Sequence, residues 1–461
     1  MTKRSFPGIV HRRLSRRIAI GAGAAGLIAT TTSGNVWRRH ARGQTPPATP
    51  GTPAASGTPD PGDVPVSGED VPELATLDQA ARELVAQWGL PGAQLAVGYE
   101  GRLVLDRGYG YADRDAMEVV QPEHRFRIAS VSKTITAVGI LRLVEAGRLS
   151  IDDAVFPLLA LDPPAGSFHD PQLDLVTVGD LLIHAGGFST DASGDPQYLP
   201  LSQLAASTFG QTGPAEAETI VRFMLGNGVD FPPGSQSIYS NFGFNVLGRV
   251  IEHVSGQPYE TFIQEQVLGP AGITDLMQGG TRRSERADGE VLYYAPPEYP
   301  PAVPSVFPGE GFGPFAYGSF YLPGMDAHGG WIARASDLVR YATAIDGTGG
   351  SAALLPPGTV AQMLTAPHVP FEGLNGAANG DPATGLAWVV QDGPLGREWA
   401  HTGALGGSTG ALLLRNDTGL TIAFITNTLP ADFVGFFTAL RPALVDVVAS
   451  VPAWPTVDLF T

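Results

Sequence analysis

Strand-forming patterns occur at both ends of the folded part of this chain, and they limit the folds open to it. Residues 93–99 and 103–109 alternate around Glu100-Gly101, which predicts a β-hairpin near the amino-terminal end. Near the carboxyl-terminal end, short strands separated by turns are predicted over residues 386–391, 398–402, 410–415 and 420–426. One antiparallel sheet that takes strands from both ends of the chain accommodates both groups.

Helical patterns are predicted on either side of these strands and between them. Apolar residues at helical spacing predict a first helix over residues 77–88 and a closing helix over residues 433–451. Further helices are predicted over residues 130–146, 177–184 and 242–255. The predicted fold class is therefore α/β (α+β), with an antiparallel sheet flanked by terminal helices and a mainly helical domain.

The predicted sheet domain is discontinuous in the sequence. It comprises residues 73–165 and 325–461, and the mainly helical domain is inserted between them at residues 166–324. Residues 44–72 contain eight prolines among Thr, Ala, Gly and Ser. Such a composition buries too little apolar surface to offset the entropy of ordering, so this stretch is predicted to be an extended, disordered linker.

Basic residues are concentrated in residues 1–43, which contain nine of the 28 lysines and arginines and none of the 45 acidic residues. An Arg-Arg-Leu-Ser-Arg-Arg stretch precedes a weakly apolar run at residues 18–32, which is too short to span a bilayer comfortably. This pattern is typical of an export signal and resembles the twin-arginine type. An amphipathic surface or anchor segment is the alternative. The chain is thus predicted to be exported by a bacterium, to the periplasm, the cell surface or the medium.

The rest of the chain is strongly acidic, and the whole chain has a formal net charge of −17. Such a surface repels phosphate backbones and offers no extended basic stripe to anionic lipid, so neither nucleic acid nor a membrane beyond the amino-terminal segment is a predicted partner. Cysteine is absent, which excludes disulfides, thiolate catalysis and cysteine-ligated metals. The histidines lack metal-binding spacing. No metal or cofactor is predicted, and the expected partner is a small-molecule, peptide or ester substrate.

Lysine is almost absent from this chain, because Lys3 and Lys133 are its only lysines. Lys133 lies three residues after Ser130 at the start of a predicted helix, so the two side chains share one face of the first turn. Arginine serves ion pairs equally well but cannot lose its proton, whereas a lysine desolvated near a helix amino terminus can. The pair therefore predicts a neutral amine that activates a serine nucleophile. An ordinary helix-start serine followed by a solvated lysine is the alternative.

A second motif, Tyr239-Ser240-Asn241, stands directly before a predicted helix. A phenol held near Lys133 can share its proton and serve as general acid or base. Asn241 can hydrogen-bond both the Lys133 amine and an amide group of a substrate. Taken alone, the same residues are also typical of a helix N-cap.

A third motif, His401-Thr402-Gly403, ends a predicted strand. Glycine in a strand lets a substrate backbone approach closely. His401 and Thr402 are predicted to bind a substrate carboxylate or to orient the leaving group. The backbone N–H groups of Ala404 and Ser130 are predicted to form an oxyanion hole.

In this order and spacing, S-x-x-K, Y-x-N and H-T-G resemble the motifs of the serine β-lactamase and D,D-peptidase superfamily. The class C β-lactamase-related serine hydrolases are closer still; they include D-alanyl-D-alanine carboxypeptidases, D-aminopeptidases and family VIII esterases. Residues 126–129 (Phe-Arg-Ile-Ala), 181–188 (Leu-Leu-Ile-His-Ala-Gly-Gly-Phe) and 329–331 (Gly-Gly-Trp) agree with this resemblance. It covers about residues 74–450. It implies a sheet domain from both ends, a helical insert and a site between them.

The resemblance implies a serine hydrolase that forms an acyl-enzyme on Ser130, with Lys133 and Tyr239 moving protons. His401 stands where most β-lactamases have lysine, and among the relatives histidine is typical of D,D-peptidases and various esterases. We therefore predict an exported peptidase or esterase for D-amino-acid-type or other small ester and amide substrates. The alternative is a β-lactamase or a non-catalytic penicillin-binding sensor of the same fold.

One histidine lies inside a segment that contributes to this resemblance. His184 is the last residue of the predicted helix over residues 177–184. A histidine in that position can hydrogen-bond the last carbonyl groups of the helix. This capping role is predicted for His184 in preference to a catalytic one.

Overall fold

The computed structural model describes residues 60–350, 352–365, 371–372 and 383–460. The predicted export signal at residues 1–43 and the first part of the predicted linker, residues 44–59, lie outside the described residues. Both therefore stay predictions. Among the residues that are described, no helix combines the length and the apolar character needed to cross a membrane.

The described residues form sixteen strands, and the long ones share one sheet. In chain order the strands are β1 (Val66–Ser67), β2 (Gly92–Tyr99), β3 (Arg102–Asp113), β4 (Glu118–Val119), β5 (Phe126–Arg127), β6 (Ser237–Ile238), β7 (Met277–Gln278), β8 (Val303–Pro304), β9 (Phe312–Gly313), β10 (Trp331–Ala333), β11 (Phe371–Glu372), β12 (Ala383–Thr384), β13 (Val389–Gly393), β14 (Gly396–Leu405), β15 (Thr409–Asn416) and β16 (Leu420–Thr426). The main sheet has the order β1-β3-β2-β16-β15-β14-β13-β12, with β4 beside β3, and all its pairings are antiparallel. The predicted antiparallel sheet from both ends of the chain is confirmed.

The two ends of the chain meet at the centre of this sheet, where β2 pairs with β16. Successive side chains of β16 point to opposite faces, as strand geometry requires. Ile422 and Phe424 pack in a core shared with the terminal helices, whereas Ala423 and Ile425 pack in a larger core on the opposite face. The sheet is therefore buried on both faces, which explains why its central strands are apolar almost throughout.

The described residues also form thirteen α-helices. In chain order they are α1 (Ala75–Gln87), α2 (Ser132–Glu145), α3 (Val155–Leu159), α4 (Val178–Leu182), α5 (Thr190–Ser193), α6 (Leu201–Thr208), α7 (Ala217–Leu225), α8 (Asn241–Ser255), α9 (Tyr259–Ile263), α10 (Phe315–Gly318), α11 (Ala335–Asp346), α12 (Pro357–Met363) and α13 (Phe433–Ala449). The terminal helices α1 and α13 pack together on one face of the sheet, where the rings of Trp88 and Phe436 meet at 5.5 Å. This confirms the prediction of a sheet covered by terminal helices.

Helix α2 lies at the centre of the larger core. Eleven of its 14 residues are buried, which is typical of a helix surrounded by other elements on all sides. It contacts α8 of the mainly helical part and the residues of the sheet domain that precede it. The helix therefore fixes the residues at its amino-terminal end between the sheet and the helical part.

Residues 60–72 are packed against the sheet, although the composition of residues 44–72 predicted a linker throughout. Val66 pairs with Tyr109 in the main sheet, and Val64 and Val71 are buried in the core beneath the terminal helices. The physical reason is that these valines supply apolar contacts which the average composition of the stretch conceals. The described fold thus begins before Glu73.

The strand predicted at residues 386–391 begins later than the pattern indicated, at Val389. Ala387 has a φ of +66°, a left-handed conformation that extended strands exclude. The N–H of Gly385 donates to the carbonyl of Trp388 at 2.7 Å. A turn therefore separates the short β12 from β13.

Candidate active site

Ser130 lies in a 3₁₀ turn over Ala129–Val131, directly before α2. The sequence predicted that the helix begins at Ser130, whereas the α-helical turns begin two residues later, at Ser132. Ala129 has a φ of +46°, a backbone conformation that costs about 1–3 kcal/mol for a residue with a Cβ and that concentrates at functional sites. Ser130 is half-buried while Ala129 and Val131 are buried. The turn thus holds the serine hydroxyl at the border of the core.

Lys133 is fully buried one turn after Ser130. Its Nζ donates to Ser130 Oγ at 3.0 Å, to Asn241 Oδ1 at 2.8 Å and to the carbonyl of His328 at 3.0 Å. Burial lowers the pKa of Lys133 to about 7, and the charge of Asp195 partly opposes this shift. Three acceptors match the three N–H bonds of an ammonium group, and the neutral amine can accept the hydroxyl proton of Ser130 instead.

Tyr239 contacts both members of this pair. Its phenol hydrogen-bonds the Ser130 side chain, and Lys133 Nζ lies 4.8 Å from the centroid of its ring. Burial raises the pKa of Tyr239 above its usual value, and the hydrogen bond with Ser130 opposes this shift in part. Tyr239 is therefore a neutral phenol in the resting site, able to accept one hydrogen bond while it donates another.

Asn241 is the first residue of α8, and Ser240 caps this helix by accepting the N–H of Gly243 at 3.2 Å. Asn241 Oδ1 accepts from Lys133, as the sequence predicted. Its Nδ2 donates to Asp195 Oδ2 at 2.7 Å. One N–H of this amide is thus engaged by a carboxylate of the protein, and the predicted hydrogen bond to a substrate amide stays a prediction.

Asp195 is a site residue that sequence reasoning missed. It lies in the loop between α5 and α6, and its second oxygen, Oδ1, accepts the backbone N–H of Gln197 at 3.0 Å. Burial raises the pKa of Asp195, while the hydrogen bonds from Asn241 and Gln197 and the charge of Lys133 act in the opposite direction. No motif distinguishes Asp195 from the other acidic residues of this chain, so the sequence carries no signal for it.

His401 is buried on β14 and neutral. Its Nδ1 lies 2.6 Å from the carbonyl oxygen of Thr402, a contact that places the ring proton on Nδ1 and leaves Nε2 as an acceptor. Burial and the charge of Lys133 lower the pKa of His401 to about 3. A neutral imidazole cannot neutralise a carboxylate, so this geometry favours orientation of the leaving group among the two roles predicted for His401.

The end of β14 has a free edge beside the turn that contains Ser130. Strand β13 pairs with β14 only as far as Ala400, and within the described ranges no strand pairs with that side of residues 401–405. Thr402 and Ala404 are exposed in this segment. Such an edge can pair with an extended substrate backbone. The oxyanion role of the Ala404 and Ser130 N–H groups stays a prediction.

His184 lies beside the second motif, and the predicted capping role is wrong. It follows Ile183 at the end of α4, and its Nδ1 accepts the backbone N–H of Ser240 at 3.2 Å. Its ring lies 4.5 Å from the ring of Tyr239 and 5.2 Å from that of Phe244. His184 has a positive φ of 60°, the left-handed conformation common at the residue that follows a helix. The resemblance of residues 181–188 to a family segment was the signal that could have found it.

Three histidines, His184, His328 and His401, lie close enough to Lys133 for its charge to act on them. Burial, together with the charge of Lys133, lowers the pKa of His184, His328 and His401, so all three imidazoles are neutral. The described residues contain no group of three or more His, Asp or Glu arranged to hold a metal ion. The arrangement can perform nucleophilic acyl transfer, because it joins a serine, a base of suitable pKa and a phenol in one hydrogen-bonded cluster.

Comparison with known proteins agrees with the fold and with the motifs. A protein-family model described as Beta-lactamase matches residues 77–445. The esterase EstB of Burkholderia gladioli is 29% identical over 394 residues, which cover 80% of this chain and 93% of that protein. The protein flp of Staphylococcus aureus (strain COL) is 27% identical over 185 residues, which cover 40% of this chain. The match spans about a third of the flp protein, 34% of its length.

Solved structures share the fold at lower sequence identity. The D-amino acid amidase of Ochrobactrum anthropi SV3 superposes with a TM-score of 0.63 and 21% identity, covering 83% of this chain and all of that one (100%). At this identity the likeness shows the fold alone. The two chains therefore share one fold over most of their length.

Proposed function

The chain belongs to the beta-lactamase family, and on that premise we propose that it is a serine hydrolase that forms an acyl-enzyme on Ser130. One observation carries the proposal: Lys133 Nζ lies 3.0 Å from Ser130 Oγ, and burial lowers the pKa of this lysine to about 7. A base with a pKa near the working pH combines a useful neutral fraction with a strong driving force for proton transfer.

In the acylation step, neutral Lys133 accepts the hydroxyl proton of Ser130, and Oγ attacks the substrate carbonyl carbon. The N–H groups of Ser130 and Ala404 stabilise the negative charge on the carbonyl oxygen. When the tetrahedral intermediate collapses, Tyr239 donates its phenolic proton to the leaving alcohol or amine. Protonated Lys133 then returns a proton to Tyr239, so the acyl-enzyme forms with the lysine neutral again.

Deacylation uses the same groups in the reverse direction. The pair of Tyr239 and Lys133 accepts a proton from a water molecule, whose oxygen attacks the ester carbonyl on Ser130. The acid product leaves as the proton returns to Ser130 Oγ. Because Tyr239 hydrogen-bonds Ser130, its phenol is in position to pass a proton in both half-reactions.

We propose small esters and amides with an uncharged leaving group as the substrate class. A free carboxylate on the leaving side requires a cation, and neutral His401 does not supply one. Lys133 is fully buried, with its three donors already engaged. The name of one relative, the esterase EstB, supports ester substrates. We further propose that the enzyme is exported, because residues 1–43 combine a basic stretch with a short apolar run, as export signals do.

A hydrolysis panel tests this proposal. It comprises p-nitrophenyl acetate, D-alanine amide, a D-alanyl-D-alanine peptide and a cephalosporin. We expect turnover of the ester and the amide, and much lower kcat/KM for the two substrates that carry a carboxylate. Faster cephalosporin hydrolysis than ester hydrolysis would instead favour the β-lactamase. A stable adduct on Ser130 in intact mass spectrometry, without turnover of any substrate, would favour the sensor.

The preference against carboxylates predicts a result for His401→Lys. A lysine there places an ammonium group on β14, and a charge-assisted hydrogen bond to a carboxylate contributes roughly 1.5–3 kcal/mol. We expect KM for the D-alanyl-D-alanine peptide to fall by about 10–100-fold relative to that for p-nitrophenyl acetate. His169→Lys adds the same charge at an exposed surface position and should change neither KM. Equal KM ratios in the two variants would contradict the prediction.

Gly403 allows β14 to approach the Ser130 turn, and this close contact predicts the effect of Gly403→Ala. A Cβ there would lie 2.2 Å from the carbonyl oxygen of Ile128, so the strand has to move. We expect kcat/KM for p-nitrophenyl acetate to fall by about 10²-fold, since displacements near 1 Å cost that much. In Gly358→Ala the new Cβ meets nothing within 4 Å, and the rate should not change. A wild-type rate in Gly403→Ala would refute the prediction.

A further inference from the structure

A continuous set of hydrogen bonds runs from the lysine of the site to the loop between α5 and α6. Lys133 donates to Asn241 Oδ1 at 2.8 Å, and Asn241 Nδ2 donates to Asp195 Oδ2 at 2.7 Å. The backbone N–H of Gln197 holds the other oxygen of Asp195 at 3.0 Å. We propose that Asp195 is a positioning residue of the hydrolytic site, which holds the Asn241 amide in the orientation that Lys133 requires. This inference rests on the proposed function.

The orientation matters because the two ends of the Asn241 amide have opposite hydrogen-bonding character. A carboxylate only accepts hydrogen bonds, and an ammonium group only donates them. With Asp195 on one side and Lys133 on the other, a single orientation of the amide satisfies both partners. The flipped amide would turn its NH₂ group toward the lysine donors and its oxygen toward the carboxylate. Asp195 thus disfavours the flipped orientation of the Asn241 amide, in which Lys133 would lose one of its three acceptors.

The charge of Asp195 also acts on the proton of Lys133. The titratable groups that face this amine are Asp195 from the loop after α5, Tyr239 before α8, His184 after α4, His328 before β10 and His401 on β14. The imidazoles and the phenol are neutral, so Asp195 is the carboxylate whose charge favours the ammonium form. Burial lowers the pKa of Lys133 and Asp195 limits that shift. Removal of the charge should therefore lower the pKa further.

Two substitutions separate the contact from the charge. Asp195→Asn removes the charge and keeps one oxygen, which can accept from Asn241 Nδ2, while the backbone N–H of Gln197 loses its side-chain acceptor. We expect its kcat to remain near that of the wild type, and the acidic limb of its pH–rate profile to move to lower pH by roughly one unit. Asp195→Ala removes the acceptor as well. We expect its kcat for p-nitrophenyl acetate to fall by about 10–100-fold, with KM changed far less, because Asp195 does not touch the reacting atoms.

Asp191→Asn is the matched control, because this carboxylate lies on α5 only four residues away and is exposed. Its kcat and pH profile should equal those of the wild type. The melting temperature of each variant is measured alongside; if Asp195→Ala does not fold, the pH profile of Asp195→Asn decides. Wild-type kcat and an unshifted profile in the Asp195 variants would overturn the inference. Hydrolysis that survives in Ser130→Ala would overturn the proposed function instead, so the two failures are distinguishable.

Discussion

Ser130→Ala is expected to lower kcat/KM for p-nitrophenyl acetate by about 10⁴-fold or more, a loss typical of removing the nucleophile from a set of groups that act together. Lys133 and Tyr239 would remain in place, but neither would have a hydroxyl to activate. Release of p-nitrophenolate measures the rate. Intact mass spectrometry with a slowly deacylating ester should show the acyl adduct on the wild type and none on the variant.

Ser132→Ala provides a matched control for this loss. Ser132 lies two residues after Ser130, is buried, and its hydroxyl makes no hydrogen bond within the described part of the chain. Removing it should change kcat/KM by less than about threefold, because no partner of the hydroxyl is left unsatisfied. A large loss in Ser132→Ala together with a small one in Ser130→Ala would show that Ser132, and not Ser130, is the nucleophile.

The central pair of the site could be predicted from the sequence because its geometry is local. A spacing of three residues across the 3₁₀ turn and the first turn of α2 brings Ser130 and Lys133 together whatever the rest of the fold does. The use of arginine for almost every other basic residue made the single lysine of the folded part conspicuous. The sheet was predictable for a similar reason, since a short strand-forming run between turn residues is a local pattern.

The roles of Asp195 and His184 beside that pair could not be predicted, because they depend on contacts between distant segments. Asp195 reaches Asn241 across 46 positions of the sequence, and a loop carboxylate carries no periodic signal. His184 reaches the backbone of Ser240 across 56 positions, so its position near a helix end pointed to the wrong role. The conformation of Ala387 escaped detection because alanine rarely adopts a positive φ, so the apolar residues 386–388 were assigned to the strand.

Lys133→Arg is expected to lower kcat/KM for p-nitrophenyl acetate by about 10³-fold or more, although it preserves the positive charge. An arginine stays protonated at every working pH, so it cannot accept the proton of Ser130. Its planar guanidinium is also larger than the amine that fits between Ser130, Asn241 and the carbonyl of His328. Initial rates of p-nitrophenolate release measure the loss. Arg142→Lys, the opposite exchange on the same helix, should have a small effect.

The pH dependence separates the role of Lys133 as a base from a role as a fixed charge. The wild-type kcat/KM should rise as the pH passes through about 7, the pKa to which burial lowers this lysine, because the neutral fraction of the amine increases. His401 is already neutral over this range, since its pKa lies at about 3, and burial raises the pKa of Tyr239. The residual activity of Lys133→Arg should therefore lack this rise. If the variant keeps both the rate and the rise, a permanent charge suffices and another group is the base.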